Sequence, residues 1–174
     1  APAAVSVSIA PKKGSNAPAK GFRLPGIRDA NAMARQLIGD KVKLADVTKK
    51  GAPLGPGTTG FHGCSVIDDQ GQEIGLMLSD LKGTVHLGGM LMMLPARQIQ
   101  EQLQSGHPIS DVVEALSEIF NTMSALINNI DGNPHVRTTV AEPFVFEAHA
   151  WTANPSRRAD YEDVTGGRIT ILAK

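Results

Sequence analysis

Hydrophobic and polar positions separate most sharply between residues 109 and 130. At about 100° per residue, the apolar side chains of this segment gather on one side. The opposite arc, roughly 100° wide, offers carboxylates, carboxamides and one small residue. The pattern predicts a long amphipathic helix, capped by Ser110 or Asp111 and ended by AspGlyAsnPro at 131–134. The polar arc consists of Asp111, Glu114, Glu118, Asn121, Ala125 and Asn128.

The remaining pattern mixes strands with helices. Helices are predicted at 27–38 and from Pro95 to about Gln104, and loops at 51–60 and 152–167. The turn at 68–72 lies between two strands and indicates a hairpin. This mixture predicts an α+β fold with a largely antiparallel sheet. The predicted strands are 41–47, 61–67, 73–78, 84–94 with a bulge near Gly88, 135–141, 144–151 and 168–172.

The chain of 174 residues fits one domain and a tail. Residues 1–24 are rich in Ala, Pro and Ser and carry four basic residues without an acid, which is typical of a disordered tail or linker. Residues 25–174 are then expected to form the domain.

Composition excludes several classes of function. A net charge of zero argues against a dedicated nucleic-acid binder, and no apolar run approaches the ~18 residues that a membrane span needs. The single cysteine, Cys64, is predicted to be a buried apolar residue and fits a reducing cytoplasm. No Cys/His spacing resembles a zinc site, so no metal site is expected.

Charge along the chain changes the interpretation of the polar arc. A polar stripe is usually a solvated face. However, residues 98–136 contain no Lys or Arg, and five acids give this window a formal charge of −5. Such a concentrated negative field on a neutral chain suits a basic patch on a partner.

The long helix carries GluIlePheAsn at 118–121, with Glu114 four residues before it and Pro143 22 residues after Asn121. With the lead-in SerAspLeuLysGlyThrValHisLeuGlyGlyMet at 79–90, this pattern resembles the CheC/CheX/FliY family of response-regulator phosphatases over residues 26–172. The chain departs from the family motif at Glu114, where Asp or Ser is expected, and its proline is one residue early. A second motif helix would need Glu three residues before Asn31, but Arg28 stands at that position. Only one motif helix is therefore visible, and a single motif helix is closest to the CheX-like arrangement.

The resemblance implies dephosphorylation of the aspartyl phosphate of a CheY-type receiver domain, in chemotaxis or related two-component signalling. Asn121 would orient the attacking water, and Glu118 would pair with the receiver's lysine. Mg²⁺ would come from the receiver, and a homodimer is possible. Glu114, Asp111, Ala125 and Asn128 would contact the partner.

Two alternatives remain open from the sequence. One is a non-catalytic binding or scaffold module with the same fold, in a signalling or flagellar-switch complex. The substitution at Glu114 favours this alternative. The other is an unrelated α+β domain whose acidic helix is a dimer or scaffold surface.

Overall fold

The structure, a computed structural model, describes residues 21–174, so residues 1–20 of the tail predicted at 1–24 lie outside the described part. The described helices are α1 (Ile27–Leu37), α2 (Leu81–Leu91), α3 (Ala96–Ser105) and α4 (Ser110–Asn128). The described strands are β1 (Leu44–Asp46), β2 (His62–Asp68), β3 (Glu73–Ser79), β4 (Val136–Thr138), β5 (Glu142–Pro143), β6 (Arg157–Asp163) and β7 (Arg168–Ala173).

The strands form one antiparallel sheet in the order β1-β6-β7-β3-β2-β4, and β5 pairs with β2 beyond the end of β4. The α+β fold with a largely antiparallel sheet is therefore confirmed. The predicted helix at 27–38, the β2–β3 hairpin, the helix that follows Pro95 and the last strand are confirmed as well.

The sheet separates two apolar cores because side chains alternate across it. Met77 of β3 belongs to the larger core, where it joins the buried stripe of α4. Its neighbours Leu76 and Leu78 point to the smaller core on the other face, which Phe146 closes. The larger core begins near the start of the described chain, since Phe22 is only 3% exposed.

An asparagine side chain holds a short edge strand at each end of the sheet. Asn31 of α1 accepts from Leu44 N (2.7 Å) and donates to Leu44 O (2.9 Å) at the start of β1. Asn128 of α4 accepts from Val136 N (2.7 Å) and donates to Val136 O (2.9 Å) at the start of β4. The order helix, short strand and hairpin thus occurs twice, as α1-β1-β2-β3 and as α4-β4-β6-β7, and each short strand pairs with the hairpin of the other set.

The strand predicted at 84–94 is wrong, because this glycine-rich segment lies largely in α2. Asp80 caps the helix by accepting from Gly83 N (2.7 Å). The glycines serve helix packing rather than a bulge. A Cβ on Gly88 would lie 2.6 Å from the carbonyl oxygen of Val112, so only glycine permits this approach of α2 to α4.

The loop predicted at 152–167 is also wrong, since it contains β6, which pairs with β1 and β7. Its charges gave the segment a loop-like composition. In the structure the buried Asp160 accepts from Arg158 Nε (2.8 Å) and from Thr170 Oγ1 (2.6 Å). Because the inward carboxylate has these partners, a charged sequence can form a strand here.

Two local expectations differ as well. Residues 144–151 do not form a strand but two short 3₁₀ turns, at Phe146–Ala148 and Ala150–Ala153, that insert Phe146 into the smaller core. Neither Ser110 nor Asp111 caps α4. The N-cap is Ile109, and its backbone N–H donates to Oε1 of the buried Gln102 on α3 (2.9 Å), so α3 substitutes for a side-chain cap.

Candidate partner-binding face of helix α4

Helix α4 presents the polar arc outward. Asp111, Glu114, Glu118, Asn121 and Ala125 are all exposed. The opposite stripe is buried against the sheet and the neighbouring helices, among which α2 makes the most extensive contact. The members of this stripe that are at most 1% exposed are Val112, Leu116, Ile119, Phe120, Met123 and Ile127.

Glu118 and Asn121 lie one helical turn apart on this face, and their side-chain polar atoms have no hydrogen-bond partner among the described residues. Only their backbone carbonyls are used: Glu118 O accepts from Thr122 Oγ1 (2.9 Å) and Asn121 O from Ser124 Oγ (2.6 Å). The carboxylate and the carboxamide are therefore available to a partner.

The negative charge of residues 98–136 is concentrated on α4. Glu101 forms an ion pair with Arg97 on α3 (2.9 Å), and Asp131 follows the end of α4. The carboxylates of the face are therefore those of Asp111, Glu114 and Glu118. Glu114 and Glu118 are four residues apart, a spacing at which like charges destabilise a helix by about 0.2–0.5 kcal/mol. This pair of like charges therefore costs the helix a small amount of stability, and helix formation alone does not explain why the pair is present.

Asn128 differs from the other residues of the arc. It is only partly exposed, and its amide already holds Val136 at the start of β4. A partner contact by Asn128 stays a prediction, and such a contact would compete with this clamp.

The segment that follows α4 runs back along one side of the face. Ser117 Oγ accepts from Ala141 N (2.9 Å), and Asn128 bonds Val136, so the two ends of the segment 136–141 are fixed to the helix. Pro143, the proline of the motif, lies two residues further, in β5 opposite His62 of β2. An edge position of this kind suits a residue without an N–H. The motif gave no indication of Ser117, because its role depends on a backbone group 24 residues away.

Cys64 is a buried structural residue, as the sequence predicted. Cys64 is 2% exposed, and burial raises the pKa of its thiol to about 12, so the thiolate is disfavoured near neutral pH. Within residues 21–174, no three side chains of His, Cys, Asp or Glu are grouped so that they could hold a metal ion. No described helix combines the length and the apolar character needed to cross a membrane.

Comparisons with known proteins find similar solved structures but no match to a protein-family model or to a curated protein. A crystal structure of FliY from Thermotoga maritima is similar, with 11% identity, coverage of 84% of this chain and 83% of that chain, and a TM-score of 0.55. A chain of the FliM–SpeE complex from H. pylori has 11% identity, coverage of 84% and 80%, and a TM-score of 0.51. A chain of the CheX–CheY–BeF3–Mg complex from Borrelia burgdorferi has 12% identity, coverage of 84% and 94%, and a TM-score of 0.48.

The chain therefore has the fold that is seen in FliY from Thermotoga maritima and in a chain of the FliM–SpeE complex from H. pylori. The resemblance read from residues 26–172 is confirmed at the level of the fold.

Proposed function

We propose that this protein binds a CheY-type receiver domain through the exposed face of α4 and hydrolyses the receiver's aspartyl phosphate. The observation that carries the proposal is the pair Glu118 and Asn121. They stand at the motif spacing on a helix of the expected fold, both are exposed, and neither side chain has a hydrogen-bond partner among the described residues.

Asn121 has the chemistry that the hydrolysis step needs. Aspartyl-phosphate hydrolysis requires a water held in line with the phosphorus atom and little covalent chemistry from the catalyst. A carboxamide can accept from a water and donate to it, and it carries no charge to repel the phosphoryl group. Asn121 would place the water, and the small Ala125 one turn further on would leave room for the receiver.

Glu118 would supply docking. A carboxylate approaches a phosphorylated site favourably only where a cation lies between the two. In our proposal this cation is the lysine of the receiver's active site, and Mg²⁺ is bound by the receiver's own acidic residues. Glu114 and Asp111 extend the same negative field and would raise the rate of encounter with a basic surface.

A second function has one observation in its favour. Glu114 stands where the motif has Asp or Ser, so this position carries a carboxylate on a side chain one methylene longer than that of Asp, on a face that must approach a phosphoryl group. This change favours a module that binds its partner without hydrolysis.

The experiment mixes the chain with a receiver domain that has been autophosphorylated from a small phosphodonor, and it follows both complex formation and loss of phosphate. We expect the chain to accelerate the loss of phosphate. Glu118→Lys should abolish the acceleration, whereas the matched reversal Glu101→Lys, on α3, should leave it unchanged. Binding without acceleration would support the second function, and an equal effect of the two reversals would contradict docking by α4.

A further inference from the structure

The segment beside α4 carries an exposed apolar side chain that the motif does not include. Val140 is 73% exposed, although its neighbour Ala141 is 4% exposed and belongs to the larger core. Residues 136, 138 and 140 would share the inner face of a regular strand, and Val136 is indeed buried at 2%. The alternation breaks after Thr138, so that Ala141 takes the inner position and Val140 turns outward.

Hydrogen bonds fix this break. Thr139 N donates to Ser65 O (3.0 Å), and Ser65 N donates to Thr139 Oγ1 (2.9 Å), so the segment remains attached to β2 after β4 ends. At the next step Ala141 N donates to Ser117 Oγ (2.9 Å). Val140 lies between these two attachments, so its outward position is held by the fold.

The attachments also place Val140 along the helix. Ser117 and Asn128 are about three turns apart, or roughly 16 Å at 1.5 Å per residue. An extended segment from Val136 to Ala141 spans about the same distance at ~3.3 Å per residue. The segment therefore runs antiparallel to α4, and Val140 lies at the level of the turn that carries Glu118 and Asn121.

The side of α4 that faces the segment is the side nearest to Asn121. Ser117 and Asn128 are the helix residues bonded to the segment. At ~100° per residue, Asn121 lies within about 40° of both, whereas Glu118 lies further around the arc. Asn121 is thus flanked by Glu118 on one side and by the Val140 segment on the other.

We infer that Val140 is a docking residue of the α4 face and that the receiver domain occupies this face. The receiver would contact Val140 with an apolar side chain that lies next to the lysine that meets Glu118. This inference rests on the proposed function. It divides the interface into a charged side at Glu118, which draws the partner in, and an apolar side at Val140, which holds the partner once water has been excluded.

The chain offers a matched control. Val164 is 74% exposed, nearly the same as Val140, but it lies in the β6–β7 turn. We expect Val140→Ser to weaken receiver binding about fivefold to tenfold, as the loss of a buried Val contact implies. Val164→Ser should leave the affinity unchanged, and both variants should keep the parent's urea midpoint because both positions are exposed.

Ionic strength separates the two sides of the interface. The loss caused by Val140→Ser should be the same at low and high salt, whereas the loss caused by Glu118→Lys should shrink as salt screens the charges. Equal affinities of the Val140→Ser and Val164→Ser variants for the receiver would overturn the inference, and so would a Val140→Ser effect on self-association alone. In either case, a loss of binding caused by Glu118→Lys would leave the proposed function standing. A parent chain that binds no receiver would overturn both.

Discussion

Two asparagines on the same side of α4 have different roles because of what lies next to them. Asn121 faces solvent with its amide available, whereas Asn128 uses both ends of its amide on the backbone of Val136. Residue type and helical position are similar, so the difference arises from the strand that begins at Val136. A carboxamide on this arc is therefore either a candidate catalytic group or a structural clamp, depending on long-range contacts.

Asn128→Ala should destabilise the protein by about 1–3 kcal/mol, because it leaves two backbone groups at the start of β4 without partners. The measurement is the free energy of unfolding in urea. Asn129→Ala is the control, since Asn129 is exposed and its side chain makes no hydrogen bond among the described residues. Equal stability of the two variants would contradict the clamp.

Glu118→Gln should separate stability from binding. Removing one charge of the Glu114–Glu118 pair relieves a like-charge contact, so the helix should gain about 0.2–0.5 kcal/mol. Receiver binding at low salt should become weaker, because the carboxylate that meets the partner's cation is gone. Urea unfolding and titration with the receiver check the two effects. A variant that is less stable, or that binds as tightly as the parent, would contradict the assignment of Glu118.

At the level of elements, the contact between α2 and α4 depends on one glycine. Gly88→Ala would place a Cβ 2.6 Å from the carbonyl oxygen of Val112, and backbone atoms cannot move aside easily. We expect a loss of about 1–3 kcal/mol. At Gly89 the new Cβ would meet side chains rather than backbone, Ile99 at 3.1 Å and Leu94 at 3.9 Å, and Ala also favours a helix by up to about 1 kcal/mol. Gly89→Ala should therefore be the milder change in thermal unfolding, and the reverse order would contradict this packing.

The elements that the sequence predicts well are those whose own residues separate into an apolar side and a polar side. Helix α4 and the β2–β3 hairpin are of this kind, since the period of their apolar residues is clear and turn residues mark their ends. Helix α2 and strand β6 are not. The glycines of α2 reflect the approach of α4, and the charges of β6 are acceptable only because Arg158 and Thr170 meet Asp160 in three dimensions. Neither fact is present in a local window of sequence.

The candidate site shows the same division. The outward arc of α4 follows from its periodicity, so Glu118 and Asn121 could be proposed before the structure was known. The neighbouring Val140 could not, because its exposure depends on a register break that is held by Ser65 and Ser117. A regular strand through residues 135–141 would have buried it.

At the level of the whole molecule, two histidines link folding to pH. Burial lowers the pKa of His62 below its ordinary value of 6.5, and burial is also the main cause of a lowered pKa at His86. The unfolded chain therefore takes up protons near pH 6.5 that the folded chain accepts only at lower pH. Between the unfolded and folded pKa values, stability falls as the pH falls.

The urea midpoint should therefore decrease when the pH is lowered from about 7.5 to about 5, on the basis of the unperturbed histidine pKa. His62→Gln removes one of these two histidines and should reduce the slope of stability against pH, while His86 keeps part of it. A midpoint that rises on acidification over this range, or a slope that His62→Gln leaves unchanged, would contradict the direction of these pKa shifts.

The central claim is that Asn121 acts on a water at the receiver's phosphoryl group, and one measurement tests it most directly. It is the rate of phosphate loss from a phosphorylated receiver in the presence of saturating amounts of the chain, compared between Asn121→Ala and the control Asn129→Ala. We predict that Asn121→Ala forms the complex but loses the acceleration by about a hundredfold, as the removal of one positioned group in a catalytic site typically does. An Asn121→Ala chain that accelerates hydrolysis as well as the Asn129→Ala control would contradict the account.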